Sequence, residues 1–517
     1  MKYTVDNRLD YNISHQDYYS PVQLKLPVDV SYSIDEDDPV RTFMEVIGGL
    51  NLNKYFKKTN RGREGYNDTI LLKIVLFAFM ENIRSLRAIE KACKTDIRFM
   101  WLSGGIKPSH MAFQRFISER LIKEIDLIFY EVNSYLIEKE NIDTSILYID
   151  GTKIEANARK FSFVWKKAIL NYQKKLFIKI SKELIKINTL SDYNFEIKDE
   201  YKPSDMVPVY MALLRYCMTN NIEFVYGKGR RKTVYQRHFE KIKEYYDKLE
   251  EYENHLIICG ERNSYSKTDV DATFMHGKED YYNKTGIFKP YYNIQIGVSD
   301  EYILHMGVFP NPSDSRTWIP FFESYKERYK KLPKCPVADA GYGSYDNYMY
   351  CVEHDMGLYM KYNMYSKEKE SKFKKQLYKI KNMTKINNQF VSNDGFIYTY
   401  SHDTTHRYTD YLSINQIFKL DETQLELAKE KKAPKTIGYN PILLEFQDKV
   451  KENLESEHGN TLRINRSIQV EGAFGDIKHN MEYDRIQRRG QQNVENELYL
   501  ICIGYNLRKF HNKKYRN

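Results

Sequence analysis

The sequence predicts an α/β protein: a mixed sheet with helices, broken by two insertions and preceded by a helical N-terminal segment. Compact apolar, β-rich runs recur at 145–149 (SILYI), 291–298 (YYNIQIGV), 302–309 (YILHMGVF), 336–338 and 357–362. Helical spacing separates the later runs, at 314–330 and 345–354. A strand, hairpin, helix, strand, helix, strand order makes an α/β sheet once the intervening segments are set aside.

The elements follow in order. Residues 1–40 end in a run of acids and Pro39, which reads as a solvated arm leading into a helix. From 40 to about 140 the apolar spacing is helical, with helices expected at 68–82 and 85–94 and a third beginning at Pro108. The run at 145–149 ends at Asp150, Gly151 and Thr152. Residues 162–260 return to helical spacing, clearest at 165–186 and 233–255. The runs 291–298 and 302–309 face each other across Ser299, Asp300 and Glu301, a hairpin. Residues 365–460 are rich in Lys, Asn and Tyr and carry no clear period. Helical patterns close the chain at 466–479 and 493–510.

Charge narrows the partners. The chain has 80 Lys+Arg and 70 Asp+Glu, a net of +10. Residues 1–40 hold three basic and eight acidic residues, 3 − 8 = −5, so the remainder stands at +15. A folded body of that sign favours a polyanion. Residues 1–10 (MKYTVDNRLD) lack the apolar segment of a secretory signal, and the most apolar stretch, 69–80, is too short to cross about 30 Å of hydrocarbon. Membrane association is therefore not expected. The six cysteines are scattered, with no C-x-x-C pair, so a reduced cytoplasmic protein without a disulfide framework is expected.

Three acids stand out by position. Asp150 ends an apolar strand, and so does Asp339, in CPVADAGYGS, where small neighbours would let a bulky substrate approach. Glu471 lies on a helix between Val470 and Gly472. Open α/β sheets place their sites at strand carboxyl ends, and converging carboxylates suit Mg²⁺. Alone, three acids among 70 read equally well as caps and surface charges. Asp269 and Asp271, in KTDVDATF just before the resumed sheet, compete with Asp150 for the first position.

The segments YIDGTKIEANA, VADAGYGS and VEGAFGDIK, in this order, resemble DDE-type insertion-sequence transposases. The nearest likeness is to the group labelled eleven-eighty-two, within the superfamily labelled four. It extends through RSLRAIEKACKTDIRFMWLSGGIKPS and SKTDVDATFMHGKEDYYNKTGIFKPYYNIQIGV to QRRGQQNVENELYLICIGYNLRK. The resemblance implies an RNase H-like catalytic fold, two divalent ions (Mg²⁺ or Mn²⁺), and Asp150, Asp339 and Glu471 as catalytic metal ligands. It implies double-stranded DNA as partner, both the element's terminal inverted repeats and the target. A homodimer on DNA and a nucleoid-associated location follow by the same analogy. The division expected is an acidic arm 1–39, a helical DNA-binding domain 40–140, and a catalytic domain 141–517 with insertions at about 160–262 and 365–460. A silent DNA-binding descendant and a nuclease without strand transfer are the alternatives.

Two departures from the family pattern matter. The superfamily carries a tyrosine, arginine, glutamate, lysine signature on the last acid's helix. Glu471 and Lys478 fit its spacing, seven residues apart and on one face of an α-helix, so Lys478 is expected to grip a phosphate. Arg466 stands one residue too far upstream, and the tyrosine is missing. Many relatives also carry close cysteines where this chain has His402 and His406. Their β-rich surroundings argue against a shared helix face, and so against a zinc site.

Further DNA contacts are expected from Arg230 and Arg231 in GKGRRK, and from Arg485, Arg488 and Arg489 after the acid's helix. A helix-turn-helix of 85–94 and 108–121 would offer His110, Gln114 and Arg115.

Overall fold

A computed structural model describes residues 34–56, 65–190, 193–227, 229, 231–277, 286–407 and 409–515. Most of the expected acidic arm, and Lys228 and Arg230 of the basic run, lie outside them. The chain divides into two units, Met1–Lys139 with Tyr499–Asn517, and Glu140–Leu498.

In the first unit, helix α1 (Pro39–Gly48) starts where the Asp38 carboxylate accepts the Val40 N–H at 2.8 Å. Helix α2 (Asp68–Met80) is capped by Asn67 and buries Leu71, Leu72 and every residue from Ile74 to Met80, as its apolar run requires. Helices α3 (Leu86–Thr95), α4 (Ile97–Ser103), α5 (His110–Arg115) and α6 (Ile125–Glu140) follow. The third expected helix starts later than Pro108, because the Ser109 hydroxyl caps it by accepting the Ala112 N–H. Helix α4 also stands between the two members of the expected helix-turn-helix.

The end of the chain belongs to this unit, not to the expected 141–517 domain. Asn506 donates to the Asn133 side chain at 2.8 Å, and both are fully buried. Arg508 Nε donates to the Met80 carbonyl at 2.8 Å, one of the acceptors that α2 leaves unsatisfied at its end. Gly504 lies against the backbone of Phe79.

The second unit is built on a mixed sheet of β1 (Ile146–Glu155), β4 (Thr273–Met275), β5 (Lys289–Ser299), β6 (Tyr302–Phe309), β7 (Cys335–Ala338) and β8 (Tyr359–Met360), after the short ribbon strands β2 (Phe163–Trp165) and β3 (Ser264–Ser266). Its order is β6-β5-β1-β7-β8, with β4 also on β5. Strands β6, β5 and β1 run antiparallel, and β1, β7 and β8 run parallel. Strand β1 outruns the apolar SILYI because β5 pairs with it from Tyr148↔Val298 to Glu155↔Tyr291. The hairpin turns where Asp300 and Glu301 take positive φ of 47° and 70°.

Helices cover both faces. On one, α10 (Trp318–Tyr329) packs on β6, where buried His305 Nε2 lies 3.1 Å from the Phe321 carbonyl. On the other lies α13 (Glu457–Gly475), which meets Asp150. Helix α11 (Tyr345–Glu353) precedes β8, and α12 (Pro441–Glu455) precedes α13.

Both insertions carry cores of their own. Helices α7 (Lys166–Leu190), α8 (Pro203–Thr219) and α9 (Val234–Cys259) bury Leu176, Ile180, Leu184, Met206, Leu213 and Leu249 together. The ribbon β2–β3 ties the two ends of this insertion together, pairing Phe163 with Ser266 and Trp165 with Ser264. The second insertion, where no period was read, is a five-stranded antiparallel sheet: β9 (Thr384–Ile386), β10 (Gln389–Val391), β11 (Ile397–Arg407), β12 (Leu412–Leu420) and β13 (Thr436–Tyr439). Its core is Phe390, Phe396, Tyr398, Phe418 and Ile437. No helix of the described residues is long and apolar enough to cross a membrane.

A methyl group on Gly504 would sit 2.7 Å from the Phe79 backbone, which cannot yield as a side chain can. Gly504→Ala should therefore cost about 1–3 kcal/mol of stability. Gly472→Ala meets nothing within 4 Å. It should stabilise by about 0.5–1 kcal/mol, the ordinary helix preference. Thermal melts of the two variants check both.

Candidate functional site

The register of the parallel strands sets the site. Pairing of β1 with β7 runs Ile146↔Cys335, Leu147↔Pro336, Tyr148↔Val337. Two steps further brings Asp150 level with Asp339. Pairing of β7 with β8 ends at Ala338↔Met360, and one more step puts Lys361 beside Asp339. Asp150, Asp339 and Lys361 thus stand in a row just past the parallel pairings, Asp150 midway along β1 and Asp339 and Lys361 directly after β7 and β8.

The loop after β7 holds its acid from below. Asp339 Oδ1 accepts the Gly341 N–H at 2.8 Å. A methyl on Gly341 would lie 3.0 Å from that oxygen and 3.3 Å from Asp314 Oδ2, so this glycine lets two carboxylates share one turn. At Gly343 a methyl would strike the Lys361 carbonyl at 2.3 Å. Asp314 is in turn fixed through Oδ1, which accepts from Asn293 at 2.9 Å and Gln295 at 3.0 Å. Sequence reasoning missed Asp314. Its only signal was an acid at the first position of the helix expected at 314–330.

Tyr342 ties these groups together. Its ring is fully buried and its hydroxyl donates to Gln295 Oε1. Burial pushes the phenol well above its usual range, and Asp314, Asp150 and Asp339 push it further while Arg466 opposes them. One ring therefore feels three carboxylates and one guanidinium.

Helix α13 supplies the cations. Arg466 Nη1 lies 3.4 Å from Asp150 Oδ2, with both side chains largely buried, although its position in the family pattern was irregular. Asp150 Oδ1 accepts the Gly151 N–H at 2.8 Å. Past Gly475 the helix opens into a π-turn, Asp476–Asn480, whose Lys478 donates to Thr152 Oγ1 on β1. Thr152 lies two residues from Asp150 and so on the same face of the strand. The π-turn breaks the α-helical count on which Glu471 and Lys478 were expected to share a face.

Glu471 is exposed, while its neighbours Val470, Ala473 and Phe474 are buried. Among the described residues no three His, Cys, Asp or Glu side chains lie together as a metal-binding set. In kind the donors fit a hard divalent cation: Asp150, Asp339 and Asp314 offer carboxylate oxygens.

The competing acids have other partners. Asp269 is buried and accepts from the Tyr292 hydroxyl at 2.9 Å and the Gly490 N–H at 3.2 Å. Burial raises its carboxyl above the usual range. Asp271 Oδ2 accepts the Gln491 N–H at 2.9 Å. Together they seat the first turn of the last helix, α14 (Gln491–Tyr515).

The expected DNA contacts separate in the same way. Arg488 is half-buried beside Glu497, and burial lowers its guanidinium while that carboxylate opposes the shift. Arg485 is exposed, with its backbone bridged to Glu155, and Arg489 is exposed with Nε on the Asn157 carbonyl at 2.7 Å. Arg231 is exposed in the helical insertion. His110 is held by Glu90 at 2.7 Å, whereas Gln114 is half-buried and Arg115 exposed. His402 and His406 lie on strand β11, in keeping with the β-rich reading there.

Residues 395–511 match the family described as Transposase DDE domain, and residues 28–119 match the one described as Transposase domain (DUF772). The first match contains Arg466, Glu471 and Lys478 but neither Asp150 nor Asp339. No curated protein and no solved structure matches the chain. The two matches support a DDE-type transposase.

Asp271 and Asp150 should part company on mutation. Asp271→Ala removes a helix cap and should cost about 1 kcal/mol. Asp150→Asn and Asp339→Asn keep side-chain volume and should melt near the parent temperature. Calorimetric melting of the three variants decides it.

Proposed function

We propose that the chain is a DNA transposase that cuts the ends of an insertion sequence and joins them to target DNA, with Asp150, Asp339 and Glu471 as its catalytic acids. The observation that carries this reading is the parallel register, which, continued two residues past Tyr148↔Val337, aligns Asp150 with Asp339. The strand order β6-β5-β1-β7-β8, antiparallel then parallel, supports an RNase H-like catalytic fold. The likeness to the group labelled eleven-eighty-two rests on the quoted segments.

Asp150 and Asp339 would hold two Mg²⁺ or Mn²⁺ ions, joined by Glu471 when DNA is bound. Such ions supply Lewis-acid polarisation of the phosphate and of the attacking oxygen. The chain's own residues do the positioning. Arg466 and the Gly151 N–H each hold one oxygen of Asp150 and so fix the orientation of its carboxylate. Lys478, tethered to Thr152, keeps a cation beside the path of the strand. The small residues Ala340 and Gly341 let a DNA backbone come close. In the first step water attacks the phosphorus at the element end and the 3′-oxygen leaves, taking a proton. In the second that 3′-hydroxyl, losing its proton, attacks a target phosphodiester in line and displaces the target's own 3′-oxygen.

Recognition of the element ends belongs, in this reading, to residues 40–140, with Gln114 and Arg115 on α5 as DNA contacts and His110 fixed by Glu90. Arg231, Arg485 and Arg489 add phosphate contacts. A homodimer brings two ends together. Because α14 packs within the N-terminal unit, substitutions rather than truncations test these assignments.

The experiment is a cleavage and joining assay on DNA carrying the flanking repeats. Asp150→Asn, Asp339→Asn and Glu471→Gln should each abolish nicking and joining while gel-shift binding persists. EDTA should abolish both activities, and added Mn²⁺ should restore them. Arg466→Ala should lower activity by about 10–100-fold, as expected for a group that orients a metal-binding carboxylate. Joined product from Asp339→Asn would overturn the assignment, and nicks without joined product would make the protein a nuclease.

A further inference from the structure

We propose that the cleft between Lys361 and helix α13, bounded by Arg463 and Ser467, is a second phosphate site that takes a backbone phosphate of the bound DNA away from the scissile one. The inference rests on the reading of the chain as a DNA transposase and names a contact that neither the family pattern nor the two matches assign.

Lys361 is the starting point. It directly follows β8 and stands one strand spacing, about 4.8 Å, beyond Asp339. Its side chain is half-buried, yet among the described residues no carboxylate forms an ion pair with it and no acceptor takes its hydrogen bonds. The charges around it are mainly of its own sign. Burial and the guanidiniums of Arg466 and Arg463 all push its ammonium towards the neutral form, and Asp339 alone opposes them. An ammonium withdrawn from water without a partner costs free energy that an arriving anion recovers.

The space is present. A cleft of about 510 Å³ is lined by Lys361, Tyr365, Lys369, Arg463 and Ser467. Arg463 and Ser467 are four residues apart on α13 and so share a face, and Asn460 steadies the Arg463 guanidinium. Lys369, paired to Glu455 at 2.9 Å, forms an exposed rim. A guanidinium, an ammonium and a hydroxyl converging on one cleft suit the oxygens of a phosphodiester. Asp150 offsets Arg466, so the charge left over belongs to Lys361 and Arg463.

The test uses the full chain and a fluorescein-labelled duplex of random sequence, with affinity measured across salt concentrations. Lys361→Gln and Arg463→Gln should each weaken binding and reduce the slope of log K against log salt by about 0.9, the value for one phosphate contact. Lys361→Arg should restore the slope. Lys361→Met removes an unpartnered charge and should melt at or above the parent temperature. Unchanged slopes in both Gln variants, or a clear fall in melting temperature for Lys361→Met, would overturn the site. The cleavage and joining assay, run on the parent beside it, separates the two readings. A parent that cuts and joins while the slopes stay unchanged loses only the phosphate site. A parent that never cuts while the slopes fall keeps the site as a nucleic-acid contact and loses the transposase reading.

Discussion

The parallel pairing of β1 with β7 is the constraint on which the second unit depends. A one-residue slip in that register would turn Asp150 to the opposite face from Asp339 and detach Arg466 from its carboxylate. The pairing is short, so the surroundings must secure it. Strand β5 does so by pairing with β1 from Tyr148 to Glu155, and Tyr342 does so by tying the loop after β7 to Gln295 on β5. The first insertion leaves and returns through its own two-stranded ribbon, so its three helices impose no tension on the sheet.

Much of this frame was legible because it rests on local signals. The hairpin, the helix after it and the strand ending at Asp339 each carry an apolar run bounded by turn residues. What could not be read has a physical reason in each case. Strand β11 has exposed side chains along most of its length, so it shows no apolar run and its sheet stayed hidden. The π-turn after Gly475 depends on hydrogen bonding that no side-chain period announces, and it interrupts the regular count between Glu471 and Lys478. Asp314 looked like an ordinary first-turn acid, and only the fold brings it to Gly341.

Asp269 and Asp271 resembled Asp150 in sequence because all three precede or end apolar segments. Their environments separate them. The first pair is consumed by backbone N–H groups at the head of a helix, where a carboxylate also meets the favourable end of the helix dipole. Asp150 faces a guanidinium midway along a strand instead. The contrast shows why the type and spacing of acids leave a ligand set open, whereas the hydrogen-bond partners of each acid restrict it.

The closing helix has a consequence for the birth of the protein. Asn133 and Met80 emerge early from the ribosome, but the residues that complete their packing, Asn506 and Arg508, emerge 373 and 428 residues later. At about 5–20 residues per second the N-terminal helices must wait roughly 20–85 s for those partners. During that interval the apolar face of α2 lacks part of its cover and is exposed to chaperones and proteases. A chain cut short by premature termination never closes that face. Only a polypeptide synthesised past Arg508 therefore reaches the finished fold of its first unit.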